Sequence, residues 1–445
     1  METEQKWAEL TPEQKRECRF KRWLEAPGVK FASPEAGKAY KERVTRLSNA
    51  LLLKEPDRVP VQLPSGNFPA YYIGGTLHKV MYDYDALRQA WIKFIHDFDM
   101  DTYRGPGLVH SGKVLEILDY KLYKWPGHGL ATDVSAYQFV EGEYMKADEY
   151  DSLMKDPSDF SFRVLAPRLA GALEPLKHFA SFSSMLGRPV NMVPTFTRPE
   201  VQNAFQSLIN AGKEMAKWQN AVSSCNRDAL AIGLPSLIGG AAAAPFDTIG
   251  DALRGTQGIM MDMYRQPDKL LEALDFIADL NIERAITSVN ASGGVTAWFA
   301  LHKGDDTFMS PRQFEIFYWP TLKKVCMALI NEGIMVSLFA EGKYLMRLDV
   351  TKDLPRGWAM WHFDQTDMAT AKKILGDTAC IAGNIPTSLM CTGTTNEVKE
   401  YCRKLIEVCA PGGGFILTGG ASATETNAEN LHAIMEAAKE YGMYK

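Results

Sequence analysis

The sequence predicts an α/β protein built as a TIM-type barrel of eight parallel strands, with a helical lead-in at the amino terminus and an elaborated insertion on the rim. Three observations predict it. From "DRVPVQL" onward, short runs rich in Val, Ile, Leu and Phe alternate with longer amphipathic stretches, the rhythm of a buried parallel sheet covered by helices. Eight such runs can be placed, at 59–63, 98–103, 229–235, 295–301, 334–340, 358–363, 379–383 and 414–418. Several of them end on polar residues, as strand tips on a catalytic rim do.

Residues 1–57 are charged and helical, and "SPEAGKAYKERVTRLSNALLLKE" opens on a Ser-Pro start signal with helical apolar spacing. This segment is expected to be a lead-in or lid to one barrel domain spanning 58–445. Within that domain, about 105–190 breaks the repeat: it is rich in Gly and aromatics and predicts loops plus a hairpin, a candidate wall for a binding site. "PVNMVPTF" at 189–196 is an alternative for one of the eight strands.

The chain has 445 residues, 46% hydrophobic and 23% charged, enough to bury a large core. A net charge of −5 and the lack of a long basic run argue against a nucleic-acid or anionic-membrane partner. The charged amino terminus lacks a secretory core and no run is long enough to span a bilayer, so the expected location is cytoplasmic. Seven scattered cysteines without CxxC spacing exclude a disulfide framework and a zinc ribbon.

The chemistry is carried by the strand tips. "VTAWFALHKGDD" ends a strand on His302 and turns through Asp305 and Asp306 before a helix start at Ser310-Pro311. "IMVSLFAEG" delivers Glu341 and "GWAMWHFD" delivers His362, with twenty residues between them. A Glu and a His on adjacent tips could share a ligand or a metal ion. The plainer alternatives are solvated loop carboxylates, a satisfied core histidine, and an ion pair from Glu341 to Lys343 or Arg347. "ACIAGNIP" places Gly383 and Asn384 at a further tip, where small residues admit a ligand and the amide both donates and accepts. "PGGGFILTGGAS" adds Gly419 and Gly420 in a glycine-rich loop that could cradle an anion or simply turn. Dense aromatics and methionines near these tips, Trp298, Phe299, Phe308, Trp358, Met360 and Trp361 among them, could line a pocket for an aromatic substrate or a flat cofactor.

From about residue 57 onward the chain resembles the uroporphyrinogen decarboxylase superfamily, in "IGLPSLIGGAAAAPFDTIGDALRG", "HKGDDTFMSPRQFEIFYWPTLKKV", "EGKYLMRLD", "FDQTDMATAKKILGDTACIAGNIP" and "GGGFILTGG". The resemblance implies a TIM-type barrel and either a decarboxylase or a cobalamin-linked methyltransferase. The decarboxylases grip substrate carboxylates through an amino-terminal arginine-rich motif; the corresponding stretch here, "VQLPSGNFPAYYIGG", has no arginine. The thiol-methylating branch holds zinc through His-x-Cys and a later Cys; Phe339 and Glu341 stand in the first two places and "TGGAS" in the last. Glu341 thus offers oxygen where that branch has a thiolate and the later Cys is absent, which suits action on an oxygen atom.

That departure points to the aryl methyl ether O-demethylase methyltransferases, whose proposed zinc motif is Glu-x14-Glu-x20-His. Glu341 and His362 match its second half, while its first Glu falls at Cys326, leaving His302 or Asp306 as substitutes. The resemblance therefore implies methyl transfer from an aromatic methyl ether of the guaiacol type to the cobalamin of a separate corrinoid protein, because no Asp-x-His-x-x-Gly signature is present. His302, Asp306, Glu341 and His362 are the candidate catalytic residues, with Glu341 and His362 the candidate zinc ligands. Gly383, Asn384, Gly419 and Gly420 are the candidate cofactor contacts. A zinc ion on the ether oxygen and a general acid are the two versions of leaving-group assistance. A decarboxylase acting on a non-porphyrin acid is the alternative function.

Overall fold

A computed structural model describes residues 6–422 and 424–444. The apolar runs of the second half form parallel strands joined in sequence order: β1 (Gly240–Ala243), β2 (Thr296–Leu301), β3 (Met335–Ala340), β4 (Ala359–Phe363), β5 (Cys380–Ile385) and β6 (Phe415–Gly419). Two shorter extended segments continue the wall. Val61 bridges Leu417 of β6 in parallel, and Gln62 bridges Thr102 in parallel. Tyr103 N–H then donates to Pro235 O (2.8 Å), and Gly239 N–H donates to Thr296 O (3.0 Å), which returns the circuit to β2. The expected barrel is present.

One strand lies elsewhere than expected. The sequence predicts a strand over 229–235, but the helix Pro199–Ala231 continues into it, and the third wall position is taken by β1 at Gly240–Ala243. "DALAIGLP" is apolar because Ala229 is the buried end of that helix and Leu234 is packed in the core after it. A short apolar run has the same composition in either role. The alternative strand at 189–196 forms short 3-10 turns over Pro189–Thr197.

The amino-terminal helices Pro12–Glu25 and Pro34–Leu51 begin on Thr11 and Ser33, whose hydroxyls accept from Gln14 and Ala36 amides. They plug the floor of the barrel. Trp23, Tyr40, Val44 and Leu47 pack with Met335, Met360, Cys380 and Ile416, all at or near the beginnings of strands. The lead-in therefore closes the end opposite the strand tips and does not cover them as a lid.

Between the second and third wall segments, the chain runs through a small sheet in which Tyr123–Pro126 pairs antiparallel with Gln138–Phe139 and parallel with Gly129–Leu130. Helical turns follow from Tyr150 to His178. No described helix is long and apolar enough to cross a membrane, and all seven cysteines are free.

Candidate active site on the barrel rim

Along β2, β3 and β4 the side chains turned away from the surrounding helices are the less buried ones: Trp298 and Ala300, Phe339, and His362. Register places Ala300 beside Phe339 and Phe339 beside His362, so these three form one tier of the barrel interior. Strand side chains repeat every second residue. The next tier up is therefore His302, Glu341 and Asp364, at the rim.

This tiering separates the pair singled out by spacing. Glu341 lies one tier above His362, and its carboxylate faces His302, with Oε2 3.6 Å from Nε2. His362 turns Nε2 to Gly419 O at 2.7 Å. Burial pushes the His362 imidazole down to about 4, with the charge of Arg104 adding to the shift. It is a neutral ring that donates to a carbonyl.

His302 is the best-supported acid on the rim. β1 leads through Ala244 into the helix Pro245–Ala252, which starts with proline at its first position and carries Asp247 and Asp251 one turn apart on one face. Asp251 Oδ2 lies 2.7 Å from His302 Nδ1. That hydrogen bond, opposed by burial and aided by the charges of Asp251, Asp247 and Glu341, pushes the imidazole up to about 9. His302 is thus charged at neutral pH, with 45% of its side chain still exposed. Burial holds the Glu341 carboxyl above its ordinary value, the positive His302 opposing and the negative Asp364 and Asp251 reinforcing the shift.

Asp247 supports this arrangement from below. It is 3% exposed and accepts from the backbone amides of His302 (3.1 Å) and Lys303 (3.0 Å) and from Tyr318 Oη (2.7 Å). Burial, with the Asp251 charge, pushes its carboxyl up to about 7. Lys303 runs inward and ties the insertion to the rim, its Nζ lying 3.1 Å from Glu141, 3.2 Å from Asp251 and 2.9 Å from Thr256. A Cβ at position 250 would stand 2.7 Å from the Lys303 stem, so glycine there gives the lysine its path.

Asp306 and Asp305 brace loops. Asp306 lies 3.3 Å from Arg347 and accepts from the Met346 amide (3.0 Å). Asp305 accepts from Thr307 N–H (2.7 Å) and from the Lys343 amide. Arg347 thus pairs with Asp306 and with the carbonyls of Gly304 and Asp305, and not with Glu341. Gly342 has φ +81°, and a Cβ there would stand 2.3 Å from Asp305 Oδ2, so this turn requires glycine on both counts.

The four candidate cofactor contacts sit on β5 and at and just beyond the end of β6. Asn384 is buried, and its amide donates to Thr366 O at 2.8 Å. A Cβ on Gly383 would meet Phe363 O at 2.5 Å, and one on Gly419 would meet Pro64 at 2.6 Å. Gly420 N–H donates to Ile385 O (2.9 Å) and Gly419 O accepts from His362. Gly419 O and Gly420 N–H are thus engaged within the barrel.

A family model described as uroporphyrinogen decarboxylase (URO-D) matches residues 182–441, more than half of the chain. The chain belongs to the uroporphyrinogen decarboxylase family. Among solved structures, a methyltransferase from Methanosarcina mazei aligns over 89% of this chain and 98% of its own, at 17% identity and a TM-score of 0.59. It has the same fold. A B12-independent methionine synthase from Shewanella sp. W3-18-1, in complex with selenomethionine, overlaps 45% of this chain and 60% of its own at 12% identity and a TM-score of 0.33. A search of curated proteins finds no match.

Within this family-typical barrel, the donor set does not fit the expected zinc ion as it is arranged. Among the described residues no group of three or more His, Cys, Asp or Glu side chains is placed to hold a metal. Cys326 is fully buried in the helix Trp319–Asn331, where burial raises its thiol. To share an ion with Glu341, His362 would have to release Gly419 O. Metal analysis of the purified protein checks this: stoichiometric zinc that is lost in Glu341→Gln would overturn it.

Sequence reasoning missed Asp247, Asp251 and Arg104. Two acids four apart in a helix that directly follows a strand, "FDTIGD", was a usable signal. Arg104 gave no such signal, because the run before it, "FDMDTY", carries two acids.

Proposed function

We propose that the protein is a methyltransferase that removes the methyl group of an aromatic methyl ether and passes it to the Co(I) corrinoid of a separate carrier protein. The observation that carries this reading is the Asp251–His302–Glu341 chain, a charged imidazole presented at an open rim and turned toward an oxygen-rich, thiol-free site. Two further observations support it: the M. mazei methyltransferase shares the fold, and Phe339 in the tier beneath stacks at 6.4 Å on Trp298 of the tier below that.

The corrinoid supplies the nucleophile that accepts the methyl group. It would face the barrel mouth, where the exposed edge of His302 lies. The residues of this chain serve the other end of the bond. As the C–O bond breaks, its electron pair stays on oxygen, and His302 Nε2 gives that oxygen its proton, so the product leaves as a phenol. Asp251 orients the ring through Nδ1 and stabilises its charged form, while Asp247 fixes the backbone that carries it. Glu341, on the Nε2 side, returns a proton from solvent.

Purified protein mixed with a Co(I) corrinoid carrier and guaiacol-type ethers is expected to release the phenol only when the corrinoid is present. Carbon dioxide released from an aromatic or cyclic acid without any corrinoid would overturn the reading in favour of decarboxylation. The pH profile is a further check. His302 is the active form while protonated, so the rate falls as pH rises through about 9. In Asp251→Asn the hydrogen-bonded charge is lost and the descending limb moves toward lower pH; an unmoved limb would exclude His302 as the titrating acid.

A further inference from the structure

Lys303 stands between the Asp251–His302 pair and the rim insertion. It is 6% exposed, so its ammonium has left water and needs acids to answer it. Among the described residues two do so, from different parts of the chain. Asp251 Oδ1 lies 3.2 Å from Nζ, while Oδ2 of the same carboxylate holds His302 Nδ1 at 2.7 Å. Glu141, from the insertion, lies 3.1 Å from Nζ. Thr256 Oγ1 at 2.9 Å and the Phe308 ring, its centroid 5.4 Å away, are further neighbours. Charges thus alternate in sign from the insertion to the rim through Glu141, Lys303, Asp251 and His302. Asp251 is the weak member of this row, because it sits in the last turn of the helix Pro245–Ala252, where the helix dipole opposes negative charge. Two cations share its carboxylate, so whatever else binds Lys303 decides how much of Asp251 is left for His302.

We propose that Glu141 and Lys303 are positioning residues that couple the seating of the insertion to the Asp251–His302 hydrogen bond; their role in the reaction rests on His302 being the proton donor of the reading above. With Glu141 in place, Lys303 divides its charge between two acids and Asp251 stays turned to the imidazole. With Glu141 withdrawn, the buried ammonium has only Asp251 to answer it and draws that carboxylate away from the ring. Glu141 is seated by its own contacts, since it also accepts from the Thr256 amide at 3.3 Å, and nearby the Met145 amide donates to Leu253 O at 2.7 Å. Displacing this segment of the insertion therefore weakens the hold on His302 without touching it.

The test follows the Nδ1 proton of His302 by NMR in the full chain, its resonance assigned by its loss in His302→Gln. A proton shared with a carboxylate lies far downfield and moves with the strength of the bond. Glu141→Gln is expected to move it upfield, because Lys303 then draws on Asp251 alone. Lys303→Met is expected to move it downfield, because the competing cation is gone. Opposite shifts mark a row of coupled charges; a loosened structure would move both the same way. Glu143→Gln cuts a different insertion contact, the one to Arg254, and should leave the resonance at its wild-type position. Shifts of the same sign, no shift in Glu141→Gln, or an equal shift in Glu143→Gln would overturn the coupling. Where circular dichroism shows that Lys303→Met does not fold, the contrast between the two glutamates decides alone. In Glu141→Gln the kcat of methyl transfer should fall by about tenfold with KM unchanged, the worth of one hydrogen bond to a charged group. The expected NMR shifts without that loss would keep the coupling and overturn His302 as the proton donor.

Discussion

His302→Gln is expected to lower methyl transfer by about 10²–10⁴-fold, the usual contribution of a positioned general acid. Glutamine keeps the approximate volume and a donor but cannot give up a proton. The backbone at 302 should hold, because its amide is fixed by Asp247 and not by the imidazole. The loss should therefore appear in kcat and leave substrate affinity nearly unchanged, since His302 is assigned to proton transfer as the bond breaks. The dependence on leaving group sharpens the test. Ethers whose phenols are more acidic need less proton transfer, so the penalty should shrink as the leaving group improves. A uniform loss across such a series would instead mean that His302 positions the substrate.

The largest stability effect is expected at the seam of the barrel. Asp101 is 0% exposed, and its carboxylate accepts from Arg46 (2.6 Å), from both terminal nitrogens of Arg58 (2.7 and 2.9 Å) and from the Val61 amide (2.8 Å). One side chain thus joins the floor helix Pro34–Leu51 to both extended segments that complete the wall. Asp101→Ala leaves Arg58 without its acid, and removing one partner of such a buried cluster costs about 3–5 kcal/mol. Arg46 retains Asp57, at 2.5 Å, which tempers the loss. The measurement is the denaturant midpoint of the full chain. A midpoint equal to wild type would show that solvent replaces these bonds and that the seam is held by packing alone.

The barrel was legible because most of its strands in the second half are buried on both faces, so burial writes them as apolar runs. Seven of the eight runs correspond to wall segments of the structure. The exception, 229–235, shows the limit of that signal: the end of a packed helix is as apolar as a strand, and β1 itself reads "GAAA", too small to stand out. At the rim, His302 and Glu341 were marked by a charge ending an apolar run, and the structure brings them to 3.6 Å. Glu341 and His362 carried the same mark but were assigned to one level, because sequence spacing does not reveal the register between strands. The pairing of Phe339 with His362 sets that register and lifts Glu341 one tier higher.

What the sequence alone determined is local and one-dimensional: the alternation that makes a barrel, the caps that start its helices, and the absence of the thiols and arginines that related chemistries require. The tertiary structure decided which polar tips meet. Asp251 reaches His302 across 51 positions, and Arg104 stands over Trp298 with no acid beside it. Such contacts depend on register, tier and the angle at which a helix returns to the sheet. Those quantities are fixed by packing of the whole barrel, so no single segment contains them.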